Sequence, residues 1–200
     1  LPDTVQARAV ALADVEQRSL SLKLAGLYAG ELGRVDDAIA TYKGLLERDP
    51  ADTESAHALE VLLRRDDLRD ELRWLLDLRV QHAANAETKV RILSEWATLE
   101  EEVFDAQDKA IALYRRMLEV EPGEPSALRA LPRLLLLGDD PAGAAEVIEV
   151  HRDRLEGEER AAREVELCEL YSLRLSPPDD ALTSAVRALE LSPGNARAMT

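Results

Sequence analysis

DDAIATYKGLLERDP, residues 36–50, returns with 8 identities in 15 positions as DKAIALYRRMLEVEP, residues 108–122. The offset of 72 residues extends outward to residues 24–65 and 96–137, where 14 of 42 positions are identical. A third and weaker copy ends the chain, where the residues that match at an offset of 143 are Asp180, Ala181, Leu189, Glu190 and Pro193. Because self-similarity at a fixed spacing is the signature of a repeat architecture, the sequence predicts a stacked array of similar units.

Each copy carries apolar residues at helical spacing, followed by a proline. Ala38, Tyr42 and Leu46 lie four residues apart, and Pro50 then stops this helix and allows the next one to begin. Asp14, three residues before Gln17, has the spacing of a cap at the start of a helix. The pattern predicts helices over residues 3–13, 15–31, 35–48, 52–65, 68–82, 87–103, 106–120, 125–137, 141–154, 158–175, 178–191 and from 195 onward. Short connections between them predict antiparallel helical hairpins.

The composition agrees with a folded, all-α chain. Of the 200 residues, 46% are hydrophobic and 32% charged, which allows a core and argues against disorder. Aromatic residues make up only 4%, so the sequence is poor in the side chains that favour strands. The formal net charge of −15 would repel a phosphate backbone, and we therefore expect no nucleic-acid partner.

The sequence also predicts the cellular compartment of the protein and whether the chain is part of a longer one. A single cysteine, Cys168, fits a reducing compartment, and neither a long apolar run nor a signal-peptide pattern is present, so we expect a cytoplasmic protein without a membrane span. Arginine greatly outnumbers lysine, a skew typical of GC-rich bacterial genomes. The chain opens at Leu1 without a methionine, and its last residues look like the start of another element, so we expect an excerpt of a longer repeat protein.

The repeated residues resemble the tetratricopeptide repeat (TPR), a helix-turn-helix unit of about 34 residues. The resemblance is carried by Leu24, Ala25, Tyr28, Gly33, Ala38, Tyr42, Leu46 and Pro50, and again by Ala97, Ala110, Tyr114, Leu118 and Pro122. Departures are Asp66, Asp67 and Leu68 in place of a glycine turn, Leu72 in place of alanine, and Pro132, which should bend its helix or delay its start. Other helical-pair repeats remain an alternative. The resemblance implies one domain over residues 1–200, an α-solenoid of about five to six antiparallel hairpins forming a TPR-like superhelix.

Residues with catalytic or metal-binding chemistry are scattered. Cys168, at the place of Trp96 in the preceding unit, is interpreted as a small buried core residue. His57, His82 and His151 lie on different predicted helices without a partner at metal-ligand spacing, and the acidic runs near Glu100 and Glu158 are interpreted as solvated helix ends. Trp74 and Trp96 have leucine neighbours at helical spacing and are interpreted as core residues. We therefore expect no cofactor, no metal and no enzymatic activity.

In the family that this chain resembles, the first helix of each hairpin lines a concave groove that holds a partner peptide or helix. By analogy, the groove residues are His57, Val61, Arg64, Arg91, Ser94, Thr98, Arg129, Arg133, Arg163 and Glu166. The recurring arginines favour a partner with acidic groups, because a guanidinium binds a carboxylate with two parallel hydrogen bonds. The alternative is that these arginines pair with acidic residues of adjacent helices.

Two functional hypotheses follow. The first is a non-enzymatic scaffold that binds another protein or peptide in its groove. The second is a regulatory or assembly segment that self-associates through the open ends of the solenoid, where residues 3–13 and 195–200 look like helices that have lost their hairpin partners.

Overall fold

The computed structural model describes residues 2–65, 67–175 and 178–192, and the side chains of residues 12–65, 67–175 and 180–192. Within these ranges the chain forms helices and turns and contains no strand. The helices are α1 (Pro2–Ala29), α2 (Val35–Arg48), α3 (Thr53–Arg65), α4 (Arg69–Gln81), α5 (Ala86–Glu102), α6 (Gln107–Val120), α7 (Pro125–Leu137), α8 (Pro141–Arg152), α9 (Gly157–Leu170), a π-helical turn (Tyr171–Leu175) and α10 (Pro178–Leu191). The predicted all-α class is confirmed for these residues.

The helices fall into two compact units. The first contains α1 to α4 and the second contains α5 to α10, with the division between Asn85 and Ala86. Within each unit every helix packs on its neighbour in sequence, so that short turns join consecutive helices into hairpins. This is the predicted helical-hairpin architecture, and its hairpins are similar in fold to the tetratricopeptide repeat.

The repeated small and aromatic residues form the core of both units. Ala38 in α2 and Ala110 in α6 are fully buried, and Tyr42 and Tyr114, one helical turn further on, are buried as well. A side chain no larger than a methyl group allows a neighbouring helix to approach, while the tyrosine ring fills the adjacent space. The two tyrosines therefore have a structural role in the core of their units.

The turn inside each of the first four hairpins contains a residue with a left-handed backbone. Gly33 has φ of +61° between α1 and α2, and Asp67, Asp105 and Asp139 have φ between 51° and 58° at the corresponding turns. Among residues that carry a Cβ atom, aspartate is one of the few that adopt this conformation readily. Around Asp67, an aspartate thus supplies the left-handed residue that glycine supplies in the first hairpin, within a shorter turn, while Asp66 lies outside the described residues.

The helices begin at different residues from those predicted at two places, and a third predicted helix lies outside the described residues. The separate helices 3–13 and 15–31 are wrong, because α1 runs without a break through Asp14, where no glycine or proline interrupts it. Pro132 lies buried inside α7, which begins at Pro125, so the delayed start is wrong too. The helix expected from residue 195 lies outside the described residues.

Candidate functional site

Seven of the predicted groove residues lie on the first helices of the hairpins in the second unit. We call them the first-helix face: Arg91, Ser94 and Thr98 on α5, Arg129 and Arg133 on α7, and Arg163 and Glu166 on α9. Each of these side chains is exposed or half-buried. His57, Val61 and Arg64 lie exposed on α3 in the first unit and are described there by themselves.

A hydrogen-bond network connects α5, α6 and α7 at this face. Arg133 on α7 donates to one oxygen of Glu101 at the end of α5, and the hydroxyl of Tyr114 on α6 donates to the other oxygen over 3.4 Å. Burial of the ring, and then the charge of Glu101, raise the pKa of Tyr114, which keeps the phenol neutral and able to donate. The guanidinium of Arg133 is therefore already paired with a carboxylate of the protein itself.

Most of the other predicted arginines are paired along their own helices. Arg64 donates to Glu60 over 2.8 Å, Arg91 donates to Glu95 over 2.9 Å, and Arg163 pairs with Glu166. Exposed pairs of this kind contribute about 0.3–0.5 kcal/mol to the free energy of unfolding. A carboxylate of a ligand can therefore replace the glutamate in such a pair at small cost. Cross-helix pairing, the alternative interpretation, occurs at Arg133, whereas these three pair only within their own helices as far as the chain is described.

Arg129 differs from the other arginines of the first-helix face. Its side chain is exposed on α7, and it has no hydrogen-bond or ion-pair partner among the residues that the structure describes. Arg133 lies one helical turn further along the same helix, so the two guanidinium groups share one side of α7. In a chain with a formal net charge of −15, Arg129 is thus an exposed cation that none of the described carboxylates pairs with.

A cleft of about 490 Å³ adjoins the face between α7 and α9, and we call it the α7–α9 cleft. Leu136, Ile148, Leu170 and Leu173 supply its apolar walls, and Arg163 and Arg174 are among the charged groups that line it. Both the π-helical turn and α8 contribute to its boundary. The cleft therefore combines apolar walls with two guanidinium groups and two carboxylates, those of Glu166 and Glu169.

Two polar contacts hold the π-helical turn in place beside this cleft. The hydroxyl of Tyr171 donates to Glu149 on α8 over 2.7 Å, and Arg174 lies 3.8 Å from Asp139 in the turn between α7 and α8. Burial and the bond to Glu149 raise the pKa of Tyr171 to about 12, so its phenol stays protonated at neutral pH. These contacts connect the π-helical turn to α8 and to the turn between α7 and α8.

Buried carboxylates are the feature that sequence reasoning missed. Glu100, interpreted as part of a solvated helix end, is fully buried and accepts a hydrogen bond from the indole of Trp96 over 2.9 Å. Glu164 on α9 is fully buried as well, and neither of its carboxylate oxygens has a hydrogen-bond partner among the described residues. The guanidinium of Arg152 lies 3.6 Å from it.

The burial pattern shows why Cys168 was misplaced. In α5 the buried positions include Leu93, Trp96, Ala97 and Leu99, and the same spacing returns in α9 as Ala161, Glu164, Val165 and Leu167. Glu164, not Cys168, therefore matches Trp96. The predicted core position of Cys168 is wrong, since its side chain is only half-buried.

The tryptophans and histidines differ in how far they are buried. Trp96 is buried, as predicted, whereas Trp74 is half-buried with the ammonium of Lys43 4.6 Å from its ring centre. His57 and His82 are exposed and His151 is half-buried. Within the described ranges no three His, Cys, Asp or Glu side chains form a group that could hold a metal ion. None of the described helices combines the length and apolar character needed to cross a membrane.

Comparison with known proteins gives the following similarities. No protein-family model and no curated protein matches the sequence. Similar solved structures include a thermophilic TPR protein of Thermus thermophilus, TTC0263, with 18% identity, coverage of 91% of this chain and 95% of that chain, and a TM-score of 0.37. A tetratricopeptide repeat protein of Parabacteroides merdae has 17% identity, coverage of 90% and 68%, and a TM-score of 0.42. YrrB, a TPR protein with an unusual peptide-binding site, has 14% identity, coverage of 90% and 88%, and a TM-score of 0.42. These similarities concern the fold alone.

Proposed function

We propose that this chain is a non-enzymatic interaction scaffold whose first-helix face binds an acidic segment of a partner protein. The proposal rests mainly on Arg129, an exposed guanidinium without a carboxylate partner among the described residues. The partner's carboxylate would satisfy Arg129 with charge-assisted hydrogen bonds, which are stronger than bonds between neutral groups. The weakly paired Arg91 and Arg163 are available for further contacts.

A packed repeat supports this kind of binding because its surface is already ordered. The helices of the second unit are held by their own cores and by the Arg133–Glu101–Tyr114 network, so little conformational entropy is lost when a partner binds. Modest contacts distributed over several helices then add to a useful affinity. The mechanism is presentation of a surface, without a covalent step.

The test is a titration of the chain into a fluorescein-labelled polyglutamate peptide, followed by fluorescence anisotropy. Arg129→Ala should weaken binding about fivefold, which corresponds to the loss of about 1 kcal/mol from one exposed charge pair. The triple variant Arg91→Ala, Arg129→Ala, Arg133→Ala should weaken it further, and added salt should weaken binding of the unmodified chain.

Arg115→Ala is the matched control. Arg115 is exposed on the second helix of its hairpin, α6, and like Arg129 it has no partner among the described residues. The variant removes the same charge from a different surface. If Arg115→Ala and Arg129→Ala weaken binding equally, the peptide follows overall charge and the assignment to the first-helix face is wrong.

A second candidate function is self-association, and exposed leucines on α1 favour it. Leu20, Leu24 and Leu27 lie four and three residues apart, on one side of the helix, and all three are exposed. An uncovered apolar stripe of this kind is typical of a surface that packs against another helix. Light scattering should then show a mass that rises with concentration, and the double variant Leu20→Glu, Leu27→Glu should remove the rise. A constant monomer mass at every concentration would exclude this function.

A further inference from the structure

The leucine stripe of α1, formed by Leu20, Leu24 and Leu27, lies on the side of the helix that faces away from its own unit. The opposite side carries Ala25, which is fully buried, and Arg18, which is paired with two carboxylates near the start of α3. The three leucines are between 42% and 66% exposed. They are therefore the part of α1 that the first unit leaves uncovered.

Two residues of opposite charge flank the leucine stripe on the same side. Glu16 and Lys23 are seven residues apart, which is close to two full turns, so they lie within about 20° of each other around the helix. Both are exposed, and neither has a hydrogen-bond or ion-pair partner among the described residues. Asp14, another exposed charge of α1, lies about 120° around the helix from Leu20 and so is off the stripe. The stripe is thus accompanied by one anion and one cation that the described chain leaves unpaired.

We infer that α1 packs against α1 of a second copy of this chain, as an antiparallel pair with Leu20 at the two-fold axis. Residues at equal distances before and after the axis then face one another. Ala13 lies seven residues before Leu20 and Leu27 lies seven residues after it, so the leucine of each copy meets the small alanine of the other. Glu16 lies four residues before the axis and Lys23 three after it, so their levels differ by one residue, or about 1.5 Å. The pair therefore contains two Glu16–Lys23 contacts, one on each side of the axis.

The two charges favour both this partner and this direction. A two-fold interface uses the same surface on both copies, so every charged group needs its complement on that same surface, and α1 provides both. In a parallel pair, the flank that carries Glu16 and Lys23 would lie on opposite sides of the interface in the two copies, and neither charge would meet an opposite one. The inference rests on self-association, the second candidate function, and it adds the surface that the leucine stripe meets and the direction of the two helices.

The test is sedimentation equilibrium of the full chain at low salt, with charge-reversal variants. Glu16→Lys and Lys23→Glu should each weaken the dimer about tenfold, because two attractive contacts become two repulsive ones. An equimolar mixture of these two variants should associate as tightly as the unmodified chain, since each then supplies the charge that the other needs. The double variant Glu16→Lys, Lys23→Glu should also restore the dimer by itself. Glu16→Lys makes the acidic chain less negative, so an effect of overall charge would strengthen association instead.

Two controls show whether the effects belong to this face of α1. Asp14→Lys makes the same change of charge on the same helix but off the stripe. The double variant Leu182→Glu, Val186→Glu alters another exposed apolar pair, on α10, where the two side chains are 65% and 47% exposed. Both controls should leave the dimer unchanged.

The outcomes separate this inference from self-association in general. If Leu20→Glu, Leu27→Glu abolishes association while the charge reversals have no effect, the antiparallel pairing is overturned and self-association stands. If Leu182→Glu, Val186→Glu abolishes association as well, the stripe meets α10 of the second copy, and the inference is again overturned. If the unmodified chain stays monomeric at every concentration, both proposals fail.

Discussion

The buried ion pair of the second unit leads to a prediction about stability. Glu164 has no exposed side-chain surface, and Arg152, 3.6 Å away, is its nearest charged partner among the ion pairs of the described chain. Arg152 also donates to Asp153 over 2.9 Å, so its charge is shared between two carboxylates. Glu164 thus has an incomplete ion pair, and it accepts no hydrogen bond from the part of the chain that the structure describes. It lies at the position that Trp96 has in α5.

The two single substitutions should have unequal effects. Arg152→Met keeps an apolar stem but leaves Glu164 buried without its countercharge, and such a loss costs about 3 kcal/mol of unfolding free energy. Glu164→Leu removes the buried charge and fills the same place with apolar atoms, while Arg152 retains Asp153. Replacing a poorly paired buried charge in this way is neutral or stabilises by about 1 kcal/mol. The double variant should resemble Glu164→Leu, which gives a coupling of about 3 kcal/mol.

Urea unfolding at neutral pH measures these differences, with Trp96 fluorescence as the signal in a Trp74→Phe background. Trp96 lies in α5 of the second unit, so its emission reports the unit that contains the substitutions. Two results would refute the reasoning: Glu164→Leu destabilising the unit by about 2 kcal/mol or more, or Arg152→Met having no measurable effect.

Further predictions concern one ion pair and two glycines. Two hydrogen bonds from Arg18 lower the pKa of Asp52 below its usual range. The stability that this carboxylate contributes is therefore present above about pH 4 and is lost as the pH falls. Asp52→Asn should flatten the fall in melting temperature between about pH 5 and pH 2. Gly143→Ala should lower the melting temperature, because its Cβ would lie 2.4 Å from the Asp140 carboxylate that caps α8, a cap worth about 1 kcal/mol. Gly44→Ala, inside α2 with no atom near the added carbon, should instead raise the unfolding free energy by about 0.5–1 kcal/mol, and a fall would show that the space is not open.

The sequence predicted the helices wherever its apolar periodicity was regular. The bounds of α2, α7 and α10 agree with the expected residues 35–48, 125–137 and 178–191, because proline or a turn residue marks each end. It failed in α1, where Asp14 suggested a cap that the uninterrupted helix does not need. A capping residue indicates a helix start only where something also ends the preceding helix.

The site was less predictable than the fold because spacing along the chain does not show pairing across helices. The family resemblance selected first-helix positions. It did not show that Arg133 already forms an ion pair with Glu101, or that Arg129 lacks a partner among the described residues. The burial of Glu164 was also hidden, since a glutamate in an acidic helix normally indicates a solvated face. The signal in the sequence was that Ala161, Val165 and Leu167 follow Leu93, Ala97 and Leu99 at an offset of 68 residues instead of 72, which places Glu164 at the position of Trp96.

The most direct test of binding at the first-helix face is to map it residue by residue. Backbone amide shifts of the isotope-labelled chain should be recorded by NMR while the polyglutamate peptide is added. We expect the largest changes on α5, α7 and α9, centred on Arg129, and little change on α6. Changes centred on α6 and Arg115, or spread evenly over the chain, would contradict the account.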